Sequence, residues 1–214
     1  MIPSTIDNSQ IGILLIDAQP SFWDSAFPDT DDQKEPVLMR VEHLLMLVDW
    51  MDLPFITTFE HPISDKGELP DRLQAVFPAK GQRFTKKTFD CTSETEIKAT
   101  IESLPVKQLA VAGAETDVCV MQSVLSLLQM DYQVFLLEDC LFTTEPHPAP
   151  ALRRMYQAGA IPCTLKSLAY ELVQSVDNMP WYPKRLSDEN RERARSFPKN
   201  FIAPEGWPPL KPSK

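Results

Sequence analysis

The chain of 214 residues holds 43% hydrophobic and 24% charged residues, which describes one globular domain, with or without an appendage, and gives no support to disordered, collagen-like or coiled-coil classes. Its 21 Lys or Arg stand against 30 Asp or Glu, a formal net charge of -9. That balance argues against a dedicated nucleic-acid binder, whose phosphate contacts need a basic face, and against an anionic membrane as partner.

The first residues, Met1 to Asn8, lack the basic flank and apolar core of a secretory signal. The early apolar run Ile11 to Ile16 is far shorter than the roughly 20 residues a membrane span needs, so a cytoplasmic location is expected. Six short apolar runs then predict strands at Gln10 to Ile16, Phe55 to Phe59, Gln82 to Thr85, Gln108 to Ala112, Gln133 to Leu137 and Ala160 to Thr164. Apolar residues recurring every three or four positions predict helices over Glu35 to Met51, Glu94 to Ser103, Asp117 to Met130, Ala149 to Ala158 and Leu168 to Val176. Strands alternating with helices specify an α/β class built on a mostly parallel sheet.

Two irregular stretches stand out. Glu60 to Lys80 contains three prolines and one glycine, with a short helical possibility at Asp71 to Val76. Phe142 to Pro150 carries His147 and three more prolines after the fifth strand. Loops leaving the carboxyl ends of parallel strands build the ligand crevice of open α/β sheets, and both stretches hold that place. From Asp177 onward the periodicity fades. Residues 1–176 are therefore read as the domain and 177–214 as a proline- and aromatic-rich extension. The extension has eight basic and five acidic residues, which leaves about +3 on it and about -12 on the body. Trp181, Tyr182, Phe197, Phe201 and Trp207 are its apolar anchors for docking on the body or a second subunit, with a mobile terminus as the alternative.

The four cysteines, at 91, 119, 140 and 163, contain no CxxC pair, so they are expected as free thiols. Cys119 differs from the rest in its position. In Gly113-Ala-Glu-Thr-Asp-Val-Cys-Val it follows the fourth strand at the start of a helix, where unsatisfied N–H groups favour a thiolate and can bind an oxyanion. A small buried residue is its bland reading. Asp17 ends the first strand and looks over the carboxyl edge, as a base or simply as a turn former. Lys86 and Lys87 follow the third strand. An acid, an ammonium and a thiol thus converge on one edge.

These residues carry a resemblance. LLIDAQPSFW with Asp17, KKTF with Lys86 three residues before Phe89, and GAETDVCV with Thr116 and Cys119 resemble, over about residues 10 to 175, the isochorismatase-like cysteine hydrolase superfamily of nicotinamidases and N-carbamoylsarcosine amidases. The resemblance implies a three-layer α/β/α, Rossmann-like fold with a six-stranded, mostly parallel sheet. It implies a catalytic triad of Asp17 as general base, Cys119 as nucleophile and Lys86, or else Lys87, as electrostatic partner. It also implies a non-proline cis peptide at Ala114-Glu115, which aims the N–H groups of Glu115 and Cys119 at a developing oxyanion. Trp23, His61, Phe89, Thr116 and His147 are expected around the substrate.

Departures from the family bear on the substrate. Where nicotinamidases carry a D-x-H-P-x-x-H metal site, this chain reads Phe59-Glu-His-Pro-Ile-Ser-Asp, so His61 and Asp65 lack the acid that would complete it. No metal or other cofactor is expected. The presence of Cys119 points to C–N hydrolysis of a small amide, carbamoyl or ureido compound through a thioacyl-enzyme. A non-catalytic ligand-binding or thiol-sensing protein of the same fold is the alternative. The resemblance implies a homodimer or homotetramer.

Overall fold

The computed structural model describes residues 5–28 and 31–175; the extension 177–214, with its five aromatic anchors, lies outside the described residues. Six strands, β1 (Ile11–Ile16), β2 (Phe55–Glu60), β3 (Gln82–Lys86), β4 (Gln108–Gly113), β5 (Gln133–Leu141) and β6 (Ile161–Cys163), form one sheet. Every pairing is parallel, in the order β3-β2-β1-β4-β5-β6. Helices α1 (Pro20–Ala26), α2 (Asp31–Met51), α3 (Ile63–Lys66), α4 (Asp71–Gln74), α5 (Thr95–Ser103), α6 (Met121–Gln129) and α7 (Ala149–Ala158) lie between the strands, and α8 (Leu165–Val173) follows β6.

The central strands read as apolar because both sheet faces are covered there. All six residues of β1 and of β4 are buried. Ile11, Ile13 and Leu15 pack with Leu44, Leu45 and Leu168 on one face. Leu14 and Ile16 point the other way, into a core with Ile97, Ile101, Val124, Leu127 and Met155. This alternation along one strand assigns α2 and α8 to one layer and α5, α6 and α7 to the other.

The sheet is wound outward in both directions from its centre, so the chain leaves β1 and β4 toward opposite sides and a crevice opens between their carboxyl ends. Here the two strands meet unusually closely. Ile16 is in register with Gly113, and a Cβ on Gly113, at φ 112°, would fall 1.9 Å from the Ile16 carbonyl oxygen. Only glycine fits. Ala114 then donates its N–H to that oxygen, and the Ala114-Glu115 peptide that follows is cis.

The helix expected from Asp117 is divided. Thr116–Val120 form a single wide π-helical turn, in which Val120 N–H reaches back to the Glu115 carbonyl, and α6 follows without a break. β5 runs four residues beyond the expected Leu137, and α8 starts at Leu165 instead of Leu168. The expected loop at 60–80 holds α3 as well as the short α4 at Asp71–Gln74. At the opposite, amino edge of the sheet a cavity of about 750 Å³ is lined by Asp7, Lys107, Gln108, Tyr132 and Gln133 among others. Gln108 fills its hydrogen bonds there with Asp7 N–H, the Thr5 carbonyl and Gln133.

Candidate active site

Three strand ends and one helix turn deliver the polar groups of the carboxyl edge. Asp17 follows β1 with a left-handed backbone (φ 47°) and donates its N–H to the Thr58 carbonyl. The Thr58 hydroxyl in turn donates to Asp17 Oδ1 at 2.8 Å. Lys86 closes β3, and it is the one buried residue of an otherwise accessible edge strand. Cys119 sits in the π-helical turn after β4. All three side chains are buried, at 0%, 1% and 2% exposure, so their mutual interactions are little screened by water.

The Lys86 ammonium is the hub. Its Nζ forms an ion pair with Asp17 Oδ2 at 2.6 Å and hydrogen bonds to Cys119 Sγ at 3.4 Å and to the Thr88 carbonyl at 3.0 Å. Lys87, by contrast, is exposed, and its backbone N–H is held by Glu94. The geometry therefore selects Lys86 of the two adjacent lysines as the one facing the thiol.

A fourth group, absent from the sequence-based expectation, completes the cluster. Glu60 ends β2 in register with Lys86. Its Oε2 accepts from the Cys119 thiol at 3.3 Å and lies 3.8 Å from Lys86 Nζ, while Oε1 is paired with Lys66 from α3. The signal was present in the sequence. Phe55-Ile-Thr-Thr-Phe-Glu is an apolar strand capped by an acid, which is the same pattern that singles out Asp17.

Electrostatics corrects the expectation of an acidic thiol. Burial lifts the Cys119 thiol well above its ordinary range, and Asp17 and Glu60 raise it further against the opposing pull of Lys86. These directions favour the protonated thiol over the thiolate. Burial also raises the Asp17 carboxyl, against the pull of Lys86 and Thr58. Burial works against the charge on Lys86, but Asp17, Cys119 and Glu60 together outweigh it and raise its pKa. Glu60 is also burdened by burial, yet Lys66, Cys119 and Lys86 hold it below the usual carboxylate range.

The other expected residues are more dispersed. Trp23 is fully buried, stacked on Phe142 with ring centroids 3.7 Å apart and its Nε1 donating to the Ala18 carbonyl, so it forms the floor under the loop of residues 142–150. Thr116 spends both its hydroxyl and its N–H on the Phe142 carbonyl. Glu115 accepts from Thr144, and Asp117 from Thr143, which ties that loop to the nucleophile turn. His61, Phe89 and His147 are exposed. His61 precedes a cis proline and gives its N–H to the Lys86 carbonyl.

Among the described residues the only trio with metal-ligand spacing is Asp17, Glu60 and Cys119, whose donor atoms lie within 4.8 Å of one another. Lys86 Nζ already stands among these donors as their cation. His61 and Asp65 join no such trio, and Phe59 is buried in the core where nicotinamidases have an acid. The residues present do not fit a nicotinamidase-type metal.

An α/β sheet that gathers an acid, an ammonium and a thiol at its carboxyl edge is the arrangement the sequence motifs imply. Residues 12–167 match the Isochorismatase domain family, and the chain belongs to this family of hydrolases. It is 25% identical over 186 residues to isochorismatase family protein 2A of Dictyostelium discoideum, covering 84% of this chain and 90% of that one. Among solved structures it resembles the YcaC gene product of Escherichia coli, described as an octameric hydrolase of unknown specificity, with a TM-score of 0.76 and 24% identity over 92% and 98% of the two chains. The MAR1 ribonuclease of Caenorhabditis elegans gives a TM-score of 0.73 at 21% identity, over 98% of this chain and 100% of the other.

Proposed function

We propose that the protein is a cytoplasmic cysteine hydrolase that cleaves the C–N bond of a small amide, carbamoyl or ureido compound. One observation carries the reading: a fully buried ammonium stands at once 2.6 Å from a carboxylate and 3.4 Å from a thiol. Such a cation stabilises whichever of the two groups holds the negative charge, which is what proton transfer between them requires. Asp17 takes the Cys119 proton as sulfur attacks the carbonyl carbon, and the N–H groups of Glu115 and Cys119 receive the oxyanion. The tetrahedral intermediate collapses by breaking the C–N bond, and the leaving nitrogen takes the proton from Asp17. Water, deprotonated by Asp17, then attacks the thioacyl carbon; the carboxylic or carbamic acid departs and Cys119 recovers its proton.

The homo-oligomeric state of YcaC makes a symmetric assembly the expectation for this chain as well. Intact-protein mass spectrometry after incubation with pooled amides, ureas and carbamoyl compounds, with ammonia assayed alongside, tests the chemistry. Wild type should show an acyl adduct and release ammonia. Cys119→Ala should show neither while keeping its circular dichroism spectrum and melting temperature. Hydrolysis retained by purified Cys119→Ala would overturn the reading. An acyl adduct that forms with one equivalent of ammonia and then persists without further turnover would favour the ligand-binding reading instead.

A further inference from the structure

Glu60 is unexplained by a three-residue mechanism. A carboxylate beside a nucleophilic sulfur makes the thiolate harder to form, so its presence at 3.3 Å needs a compensating use. Its backbone is clamped on both sides by the fully buried Gln19, which accepts from Glu60 N–H at 2.6 Å and donates to the Glu60 carbonyl at 3.2 Å. Gln19 Nε2 also donates to the Gly67 carbonyl at 2.7 Å, which fixes the turn that brings Lys66 to Oε1. The carboxylate is therefore positioned with one oxygen satisfied by Lys66 and the other committed to the thiol.

That second bond cannot survive the reaction. Once Cys119 has given up its proton and bonded to a carbonyl carbon, Oε2 has lost its S–H donor in a site where an unmet acceptor is costly. The substituents on a carbon bound to Sγ lie within reach of Oε2. A substrate bearing N–H or N⁺–H donors beside its carbonyl replaces the lost bond, whereas one bearing a carboxylate sets two anions together.

We propose that Glu60 is the specificity-determining residue of this site and selects neutral N–H-rich or cationic amides, such as those with an amino, guanidino or ureido group next to the scissile carbonyl, while rejecting anionic ones. The proposal rests on Cys119 as the reacting group of the proposed function, but it can be tested without turnover. Three methanethiosulfonates, methyl (neutral), 2-aminoethyl (cationic) and 2-sulfonatoethyl (anionic), each transfer a thioalkyl group to a thiolate and release methanesulfinate. Labelling of Cys119 is followed by intact mass, with Cys119→Ala subtracting Cys91, Cys140 and Cys163, and each rate is divided by that of a small uncharged thiol.

Wild type should prefer the cationic over the anionic reagent by at least about tenfold. Glu60→Gln should bring that ratio close to one, and Lys66→Ala, which removes the compensating charge, should widen it beyond wild type. An unchanged ratio in folded Glu60→Gln overturns the proposal. Should that variant fail to fold, Lys66→Ala decides: a ratio that narrows or stays constant overturns it equally. Selectivity that follows Glu60 in a protein that turns over no amide supports the assignment of Glu60 and counts only against the hydrolase reading.

Discussion

In the proposed reaction Asp17 takes the Cys119 proton, so the rate depends on Asp17 being ionised when substrate arrives. Burial holds that carboxyl above the usual aspartate range near about 4, so the acid limb of kcat/KM should lie above this value, activity falling as pH drops through the raised pKa. Thr58→Val removes the hydroxyl that donates to Oδ1 and should move the limb higher still; a pH-rate profile of both proteins checks the shift and its sign. His43, buried on α2, carries a separate pH dependence. Burial pushes its imidazole down to about 4, so between this value and the unfolded value near about 6.5 the unfolded chain holds a proton that the folded one does not. Its contribution to stability is complete above about 6.5 and is lost as pH falls toward 4. The melting temperature should accordingly drop more steeply on acidification in wild type than in His43→Gln. At this scale Asp17, Lys86 and Cys119 were legible because each stands at or shortly after a strand end in a distinctive motif. Glu60 carries the same strand-then-acid signal as Asp17 but lies outside the three motifs that carry the resemblance, beside a His-Pro pair that belongs to a metal pattern the chain does not complete. The exposure of His61, Phe89 and His147 depends on how loops fold back, which strand and helix periodicity does not encode.

Gly113 is the element-scale counterpart of these residues, since it alone lets the ends of β1 and β4 approach closely enough to present Asp17 beside the nucleophile turn. Gly113→Ala puts a methyl group into the Ile16 carbonyl and strains a positive φ, and should cost about 3 kcal/mol or more. Chemical denaturation should show that loss, or the variant should fail to accumulate folded. All six strands were legible in the sequence, with every end but that of β5 placed to within one residue. β5 continues through Glu138 and Asp139 because the register shifts between Val111 and Gly113, and because Asp139 is bonded to Leu165 N–H and faces Arg40 at 3.4 Å. Charges that read as a strand end are thus paired across elements. α8 begins early through a capping box in which Thr164 accepts from Ser167 N–H and the Ser167 hydroxyl answers, a short-range signal that apolar spacing overlooks. α1 is only seven residues long, too short for a period to show, and starts on Pro20, which the first turn of a helix tolerates.

For the whole molecule, charge and site agree on the kind of substrate. A chain of net charge -9 whose crevice turns two carboxylates toward the thiol is poorly matched to a polyanion, although one structural neighbour is a ribonuclease. Fluorescence anisotropy with a short RNA at low salt should show no saturable binding, and salt-sensitive saturation would contradict this. The fold class was legible from alternating strands and helices, whereas the crevice was legible only through the rule that parallel sheets bind ligands at their carboxyl edge. The sequence separations across that crevice have a consequence for how the protein matures. The thiol's contacts to Lys86 and Glu60 span 33 and 59 residues, and the Thr58-Asp17 bond spans 41. None of them exists until β1 through β4 have docked, so on a newly made chain Cys119 is an ordinary solvent-facing sulfur, open to oxidants. Completion of the sheet also buries Cys91, Cys140 and Cys163, all free in the native state, so their loss of reaction with thiol reagents should report closure of the sheet, whereas Cys119 keeps the reactivity its proposed chemistry needs.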